Sequence, residues 1–91
     1  MSRWIVLGLP VSTDEGVMTL EELEGSPEDA ERALLRAANT FEHGLWKVLR
    51  REVFQCSDRS YFIRIHGRMN THSFLIQLAE LIHDSDKQVT I

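Results

Sequence analysis

The middle of the chain reads EVFQCSDRSYFIRIHG over residues 52–67. Two runs rich in Val, Phe, Tyr and Ile flank the polar tetrad 57–60, a pattern typical of a β-hairpin with a four-residue loop. We expect Cys56 to lie opposite Tyr61, because this register gives the hairpin one apolar face for the core. That predicted core face consists of Phe54, Cys56, Tyr61, Ile63 and Ile65. The opposite face consists of Arg51, Val53, Gln55, Phe62, Arg64 and His66.

Before the hairpin, the pattern predicts a strand, a connection and a helix. Residues 3–9 alternate as a central strand with apolar residues on both sides, and Pro10 ends it because proline cannot donate to a ladder. Residues 11–25 form a long acidic connection that we expect to be mobile. Ser26 and Pro27 are typical of a helix N-cap and first turn. Apolar residues at helical spacing then predict a helix that either ends at Gly44 or, as we favour, continues to about Arg50.

After the hairpin, the pattern predicts a second helix and a short last strand. Thr71 can cap this helix, and apolar residues from Phe74 to Ile82 recur at a spacing that suits one helix face. Residues 88–91 then form a closing strand. The order β-α-β-β-α-β predicts a ferredoxin-like sandwich, an α+β fold with a four-stranded antiparallel sheet and two helices on one face.

Composition predicts one domain over residues 1–91. The chain is 43% hydrophobic and 26% charged, which is ordinary for a globular protein. Its single cysteine, Cys56, cannot form an internal disulfide and suits a cytoplasmic, reducing compartment. No stretch reaches the ~20 apolar residues of a membrane-spanning helix. We therefore expect a cytoplasmic protein without a membrane partner.

Charge is distributed unevenly along the chain, whose net charge is −4. Residues 14–31 contain eight acids and no base, so their net charge is −8. Residues 32–68 contain eight bases and three acids, so their net charge is +5. Two arrangements fit this asymmetry: the two halves neutralise each other within the fold, or they form a polar surface that attracts a charged partner or a second copy.

No motif for catalysis, a metal or a cofactor is found. In the predicted register Cys56 and His66 point to opposite sheet faces, which argues against a joint site. His72 and His83 would lie ~16 Å apart along the second helix at ~1.5 Å per residue. The glycines are isolated and form no phosphate-binding loop. The sequence therefore predicts no enzyme, no metal and no cofactor.

The sheet face that the two helices leave uncovered is the predicted site of partner binding. Exposed aromatic residues beside arginine dominate many protein interfaces. An alternative is that the connection 11–25 folds over this face. The predicted partner interface consists of Trp4, Val6, Arg51, Val53, Phe62, Arg64 and His66.

Two segments also suggest a nucleic-acid binder. The segment WIVLGLP, residues 4–10, looks like the RNP2 strand of RNA-recognition motifs, and RSYFIRI, residues 59–65, resembles their RNP1 strand without its small residues. The resemblance implies that bases stack on Trp4 and Phe62, with Arg64 beside them.

Three functions are therefore considered. The first is a small non-catalytic regulatory or accessory protein–protein interaction module. It would bind a protein partner, a second copy of itself, or both, through the open sheet face or a strand edge. The second is an RNA-recognition-like binder of single-stranded nucleic acid. The third is a regulatory domain that senses a small molecule.

Overall fold

A five-stranded antiparallel sheet and one α-helix make up the fold in the computed structural model, which describes residues 1–11, 14–42 and 47–88. The elements in chain order are β1 Ser2–Pro10, β2 Met18–Gly25, α1 Pro27–Thr40, β3 Val48–Ser57, β4 Ser60–Gly67 and β5 Thr71–Glu80, followed by a 3₁₀ turn Ser85–Gln88. All neighbouring strands are antiparallel, in the order β2-β1-β5-β4-β3. The helix packs on one face of this sheet.

The predicted ferredoxin-like fold is wrong, because the segment predicted as a second helix is strand β5. Phe74, Ile76 and Leu78 are buried on the side of α1, while Leu75 and Ala79 point to the other side. A strand at the centre of a sheet is apolar on both faces, and such a run also matches the spacing of a buried helix. Pairing with β1 and β4 decides between the two structures.

The acidic connection was also predicted incorrectly, because its second half is the edge strand β2. Met18 and Leu20 pack partly against the core, while Glu22 and Glu24 are exposed. A register shift in its pairing with β1 interrupts the alternation. Acidic side chains and an irregular ladder are common at sheet edges, since both oppose pairing with another chain.

The hairpin of β3 and β4 exists, but its predicted register is wrong by one residue. Phe54 lies opposite Phe62 and Val53 opposite Ile63, and a two-residue turn at Asp58 and Arg59 replaces the predicted tetrad loop. The ladder is irregular between Gln55 and Ser57. A shift of one residue reverses the face of every side chain in one strand. In β3 it puts Phe54 on the face away from α1, while Tyr61, Ile63 and Ile65 of β4 keep their predicted face.

The predicted start of α1 is confirmed. The Ser26 hydroxyl accepts a hydrogen bond from the Asp29 amide at 3.1 Å, and the Ser26 amide donates to the Asp29 carboxylate at 3.3 Å. This capping box satisfies two amides at the helix end, and it lowers the pKa of Asp29. The helix ends at Thr40, so the predicted continuation to Arg50 is wrong. Residues 43–46 and the predicted last strand from residue 89 onward lie outside the described residues, and Gln88 belongs to the 3₁₀ turn.

Arg51 binds the C-terminal end of α1 from strand β3. Its guanidinium donates to the carbonyl oxygens of Ala38, at 3.2 Å, and Phe41, at 2.6 Å. Carbonyls at a helix C-terminus lack partners within the helix, and the helix dipole favours a cation there. Partial burial at this place lowers the pKa of Arg51. The last turn of α1 contains no basic residue, so a basic side chain from another element takes that role.

The core lies between α1 and the sheet and includes Trp4. The indole N–H of Trp4 donates to the Gly25 carbonyl at 3.1 Å, and the Arg59 guanidinium lies 4.9 Å from the ring centroid. Phe41 packs edge-to-face on Phe74 with centroids 4.9 Å apart. The buried apolar residues are Trp4, Val6, Ala30, Ala33, Leu34, Ala38, Ile63, Ile65, Phe74, Ile76 and Leu78.

We expect Phe74→Ala to lower the free energy of unfolding by ~3–5 kcal/mol, because Phe74 is only 1% exposed and its removal leaves a cavity. Phe54→Ala is the matched control, and it should cost much less because Phe54 is 43% exposed. Urea unfolding followed by circular dichroism measures both. Equal losses for the two variants would restore the register with Phe54 in the core.

We expect Arg51→Ala to destabilise the protein by about 1–3 kcal/mol, because two helix carbonyls lose charged donors. The control Arg50→Ala removes an arginine whose side chain is 69% exposed, and a surface ion pair is worth ~0–1 kcal/mol. Thermal and urea unfolding compare the two variants. If Arg50→Ala were the more damaging change, Arg51 would have no capping role.

Candidate functional site

The sheet face opposite α1, here called the open face, has no second layer among the described residues. Side chains alternate between the two faces of a strand, so the neighbours of the buried residues point to the open face. Four of them, Leu9, Leu75, Phe62 and Phe54, are paired in register and form one row across β1, β5, β4 and β3. The apolar residues of the open face are Ile5, Leu7, Leu9, Phe54, Phe62, Leu75 and Ala79.

Only three of the seven predicted interface residues lie on the open face, namely Phe62, Arg64 and His66. The other four point towards α1: Trp4, Val6, Arg51 and Val53. The first strand is apolar on both sides, so its sequence does not show which side meets the helix. The shifted hairpin register explains the errors in β3.

The apolar residues of the open face that the sequence did not reveal are Ile5, Leu7, Leu9, Phe54, Leu75 and Ala79. The predicted alternation of β1 is correct, but its two sides are exchanged: Trp4 and Val6 face α1, and Ile5 lies on the open face. In β5 the prediction of a helix hid the alternation. A signal was present in β5: Phe74, Ile76 and Leu78 are apolar at a spacing of two, while polar Gln77 lies between two of them.

The alternative that residues 11–25 cover the open face is wrong for the described part of that segment. Residues 18–25 extend the sheet sideways as β2. Val11 and residues 14–17 are exposed, with Val17 61% exposed. After β5, Leu81 and Ile82 are also exposed, Ile82 by 92%. The described segments before and after these strands therefore leave the open face accessible.

A charged cluster, called here the basic corner, lies on the open face at one end of β3 and β4. It consists of Arg50, Glu52, Arg64 and His66 around the Glu52 carboxylate. His66 Nε2 lies 2.7 Å from Oε1, and the guanidinium groups of Arg64 and Arg50 donate to Oε2 at 3.2 and 3.3 Å. Arg64 Nε is 3.1 Å from Oε1 but has no hydrogen-bond geometry. Two arginines and one glutamate leave a net charge of +1.

The cations around Glu52 change its acidity. Its hydrogen bond with His66, and then the charges of Arg50 and Arg64, lower the pKa of Glu52 below its usual value of 4.5. Arg64 also lies over the Phe54 ring, 5.1 Å from its centroid, so the basic corner adjoins the apolar row. The cluster therefore holds a positive charge next to the exposed ring of Phe54 on the open face.

The basic corner also contains a chain of groups that resembles a catalytic relay. His66 Nδ1 lies 3.1 Å from the Thr71 hydroxyl, while His66 Nε2 contacts Glu52. A nucleophile, a base and a carboxylate stand in this order in hydrolases. Here, however, the carboxylate also accepts hydrogen bonds from the guanidinium groups of Arg50 and Arg64. We interpret the chain as a structural connection between β3, β4 and the start of β5.

A second charged group, the acidic corner, lies at the other end of the sheet, on β2, on β1 and in the segment just after β5. It consists of Arg3, Glu22, Glu24 and Asp84, in which three carboxylates against one guanidinium leave a net charge of −2. Glu22 and Glu24 are exposed and form no ion pair with a described residue. Arg3 lies opposite Glu24 and is 4.0 Å from Asp84.

The two corners occupy the ends of one diagonal of the open face. Glu22 lies at the level of Ala79 in β5, whereas Arg64 lies at the level of Ser73. Six residues along a strand correspond to ~20 Å, and the three strand spacings from β2 to β4 to ~14 Å. The corners are therefore separated by roughly 24 Å.

A cleft of 320 Å³ lies beside the acidic corner. It is lined by Arg3, Trp4, Ile5, Glu22, Glu80, Leu81, Ile82 and His83. Its volume is near the lower limit of ligand sites, ~300 Å³, and exposed Ile82 forms one of its walls. Among the described residues, no group of three His, Cys, Asp or Glu side chains could hold a metal ion. The described helices are also too short or too polar to cross a membrane.

Comparisons with protein-family models, with curated protein sequences and with solved structures find no match for this chain.

We expect the basic corner to contribute stability that depends on pH. Because the folded-state pKa of Glu52 is lowered, this contribution is present above pH ~4.5 and is lost as the pH falls through the folded-state pKa. Glu52→Gln should therefore be less stable than the parent at about pH 7, and the difference should shrink towards about pH 2.5. Urea unfolding over this range measures it. Glu31→Gln, on the exposed surface of α1, is the control, and a Glu52→Gln deficit that stays constant with pH would contradict the assignment.

Proposed function

We propose that this chain is a small non-catalytic regulatory or accessory interaction module whose open face binds a second copy of the same chain. The observation that supports the proposal is the in-register row of Leu9, Leu75, Phe62 and Phe54 on a face without a second layer in the described structure. Burial of apolar surface contributes about 25 cal/mol per Å². A contiguous apolar area of this kind usually marks a binding surface.

The area of the open face suits a dimer. Five strands of eight to ten residues, at ~4.8 Å between strands and ~3.3 Å per residue, form a face of about 24 by 28 Å. Two such faces in contact would bury roughly 1,300 Å² in total. Stable protein interfaces bury about 1,200–2,000 Å². A face-to-face pair is thus large enough without any further element.

A second copy fits this surface better than a nucleic acid does. The stacking pair implied by the RNA-recognition resemblance is not formed, since Trp4 is 3% exposed and faces α1 while Phe62 lies on the open face. Among the described residues there is one α-helix, whereas the fold predicted alongside this resemblance had two. The net charge of −4 would repel a phosphate backbone. The small-molecule alternative has only the open cleft beside the acidic corner in its favour.

The proposal includes a cytoplasmic location. Cys56 is the single cysteine and is an exposed free thiol on β3. Exposed free thiols persist in reducing compartments, whereas oxidising compartments favour the formation of disulfides.

We expect the parent chain to have twice the mass of one chain in light scattering, and Phe62→Asp to have the mass of one. A charge in the middle of the apolar row would have to be buried without a partner in the dimer, which is costly. The matched control is Leu35→Asp, because Leu35 is a 43% exposed leucine on α1, away from the open face. Circular dichroism and a thermal melt show whether each variant is folded.

Three results would contradict self-association through this face. One is a parent that stays monomeric over a roughly hundredfold range of concentration. Another is a folded Phe62→Asp variant that remains dimeric. The last is a loss of dimer in Leu35→Asp as well, which would place the contact elsewhere. Salt-sensitive binding of a single-stranded oligonucleotide by a monomeric parent would favour the nucleic-acid function instead.

A further inference from the structure

We infer that the two copies dock with their open faces crossed, so that the acidic corner of each chain lies on the basic corner of the other. This inference rests on the proposed self-association and specifies its geometry. It follows from three observations: both corners lie on the open face, their net charges have opposite sign, and they occupy the ends of one diagonal.

The symmetry of a dimer limits how two such faces can meet. In a face-to-face pair the two-fold axis lies in the plane of contact. Each patch of one copy therefore contacts the part of the second copy's face that lies at the mirror-related position across that axis. An axis along the other diagonal exchanges the acidic and basic corners. Because that axis runs obliquely to the strands, the strands of the two sheets then cross at close to a right angle. Orthogonal packing is one of the two common arrangements of packed sheets.

The aligned alternative leaves the charges unmatched. An axis parallel to β5 would place the acidic corner near the β3–β4 turn of the second copy. The cation of that turn, Arg59, lies over the Trp4 ring on the covered face, 4.9 Å from its centroid. The aligned dimer would therefore leave Glu22 and Glu24 without a cation opposite them.

The exposed state of the two corners in the single chain supports a role between chains. Glu22 and Glu24 are exposed and have no ion pair within the described structure. In the basic corner, the side chains of Arg50 and Arg64 remain 69% and 42% exposed although both contact Glu52. Opposite charges across an interface set its orientation and speed its formation. The contact between an acidic and a basic corner therefore occurs twice in the dimer, once on each side of the axis.

The test reverses each corner separately. One variant carries Glu22→Lys and Glu24→Lys, and the other carries Arg50→Glu and Arg64→Glu. Each variant alone would place like charges together at both contacts, so its dimer dissociation constant should rise roughly tenfold or more. An equimolar mixture should form a heterodimer with about the affinity of the parent, since both contacts again join opposite charges. Mass photometry or light scattering of the separate and mixed variants measures this.

A control and a milder variant keep the test clear. Glu28→Lys with Glu31→Lys changes the net charge as much as the acidic-corner variant does, but on α1, so it should dimerise like the parent. If Arg64→Glu unfolds the chain, Arg50→Glu alone tests the same contact from an exposed position. Rising salt should weaken the parent dimer and strengthen the dimer of each reversed variant.

Failure of this inference differs from failure of the proposed function. The crossed geometry alone would be overturned if the parent dimerised, Phe62→Asp did not, and both corner variants dimerised like the control. In that case the open face would remain the site of self-association. A mixture that stays monomeric when each variant is folded would also overturn it. A monomeric parent would overturn the proposed function, and the crossed geometry with it.

Discussion

The pairing of β1 with β5 holds the two halves of this fold together. The first half is the pair of β1 and β2, and the second is the meander of β3, β4 and β5. The five-stranded sheet exists only when the two halves are paired. The helix α1 crosses from one half to the other because it connects β2 with β3 at opposite edges. The β1–β5 ladder, from Trp4 opposite Glu80 to Pro10 opposite Phe74, therefore forms the centre of the sheet. The core forms directly on it, from Trp4 and Val6 on one strand and from Phe74, Ile76 and Leu78 on the other.

One helix is too little to cover both faces of a five-stranded sheet. The sheet face that α1 covers carries the indole of Trp4 and the aliphatic core. The ends of the helix are held by hydrogen bonds of Ser26 and Arg51. The other side keeps leucine and phenylalanine on four strands. Because β1 and β5 lie at the centre, both of their faces are apolar, and only one of those faces meets a second layer in the described structure. The open face is thus a direct consequence of the ratio of strands to helices.

Because of the strand order, the acidic and basic segments of the chain lie at opposite edges of the folded sheet. The acidic segment supplies β2 and the first turn of α1, and the basic segment supplies β3 and β4. Since β2 and β3 are the two edges, the charges are kept apart by the width of the sheet, apart from local pairs such as Arg36 with Glu21 at 3.1 Å. The halves therefore neutralise each other only in part. What remains is a face with an apolar row between two corners of opposite charge.

Local chemistry determined several parts of this protein by itself. The cap at Ser26, the first strand up to Pro10, the existence of the hairpin and the opposite charges of the two segments all follow from neighbouring residues. The tertiary structure decided the rest. Whether residues 71–80 form a helix or a strand depends on β1 and β4 as partners, because a run that is apolar on every side fits both periods. Which side of β1 is buried depends on where α1 lies, since Trp4 and Ile5 are both apolar. The face that Phe54 occupies depends on a single residue of hairpin register, which the irregular ladder beside the turn fixes.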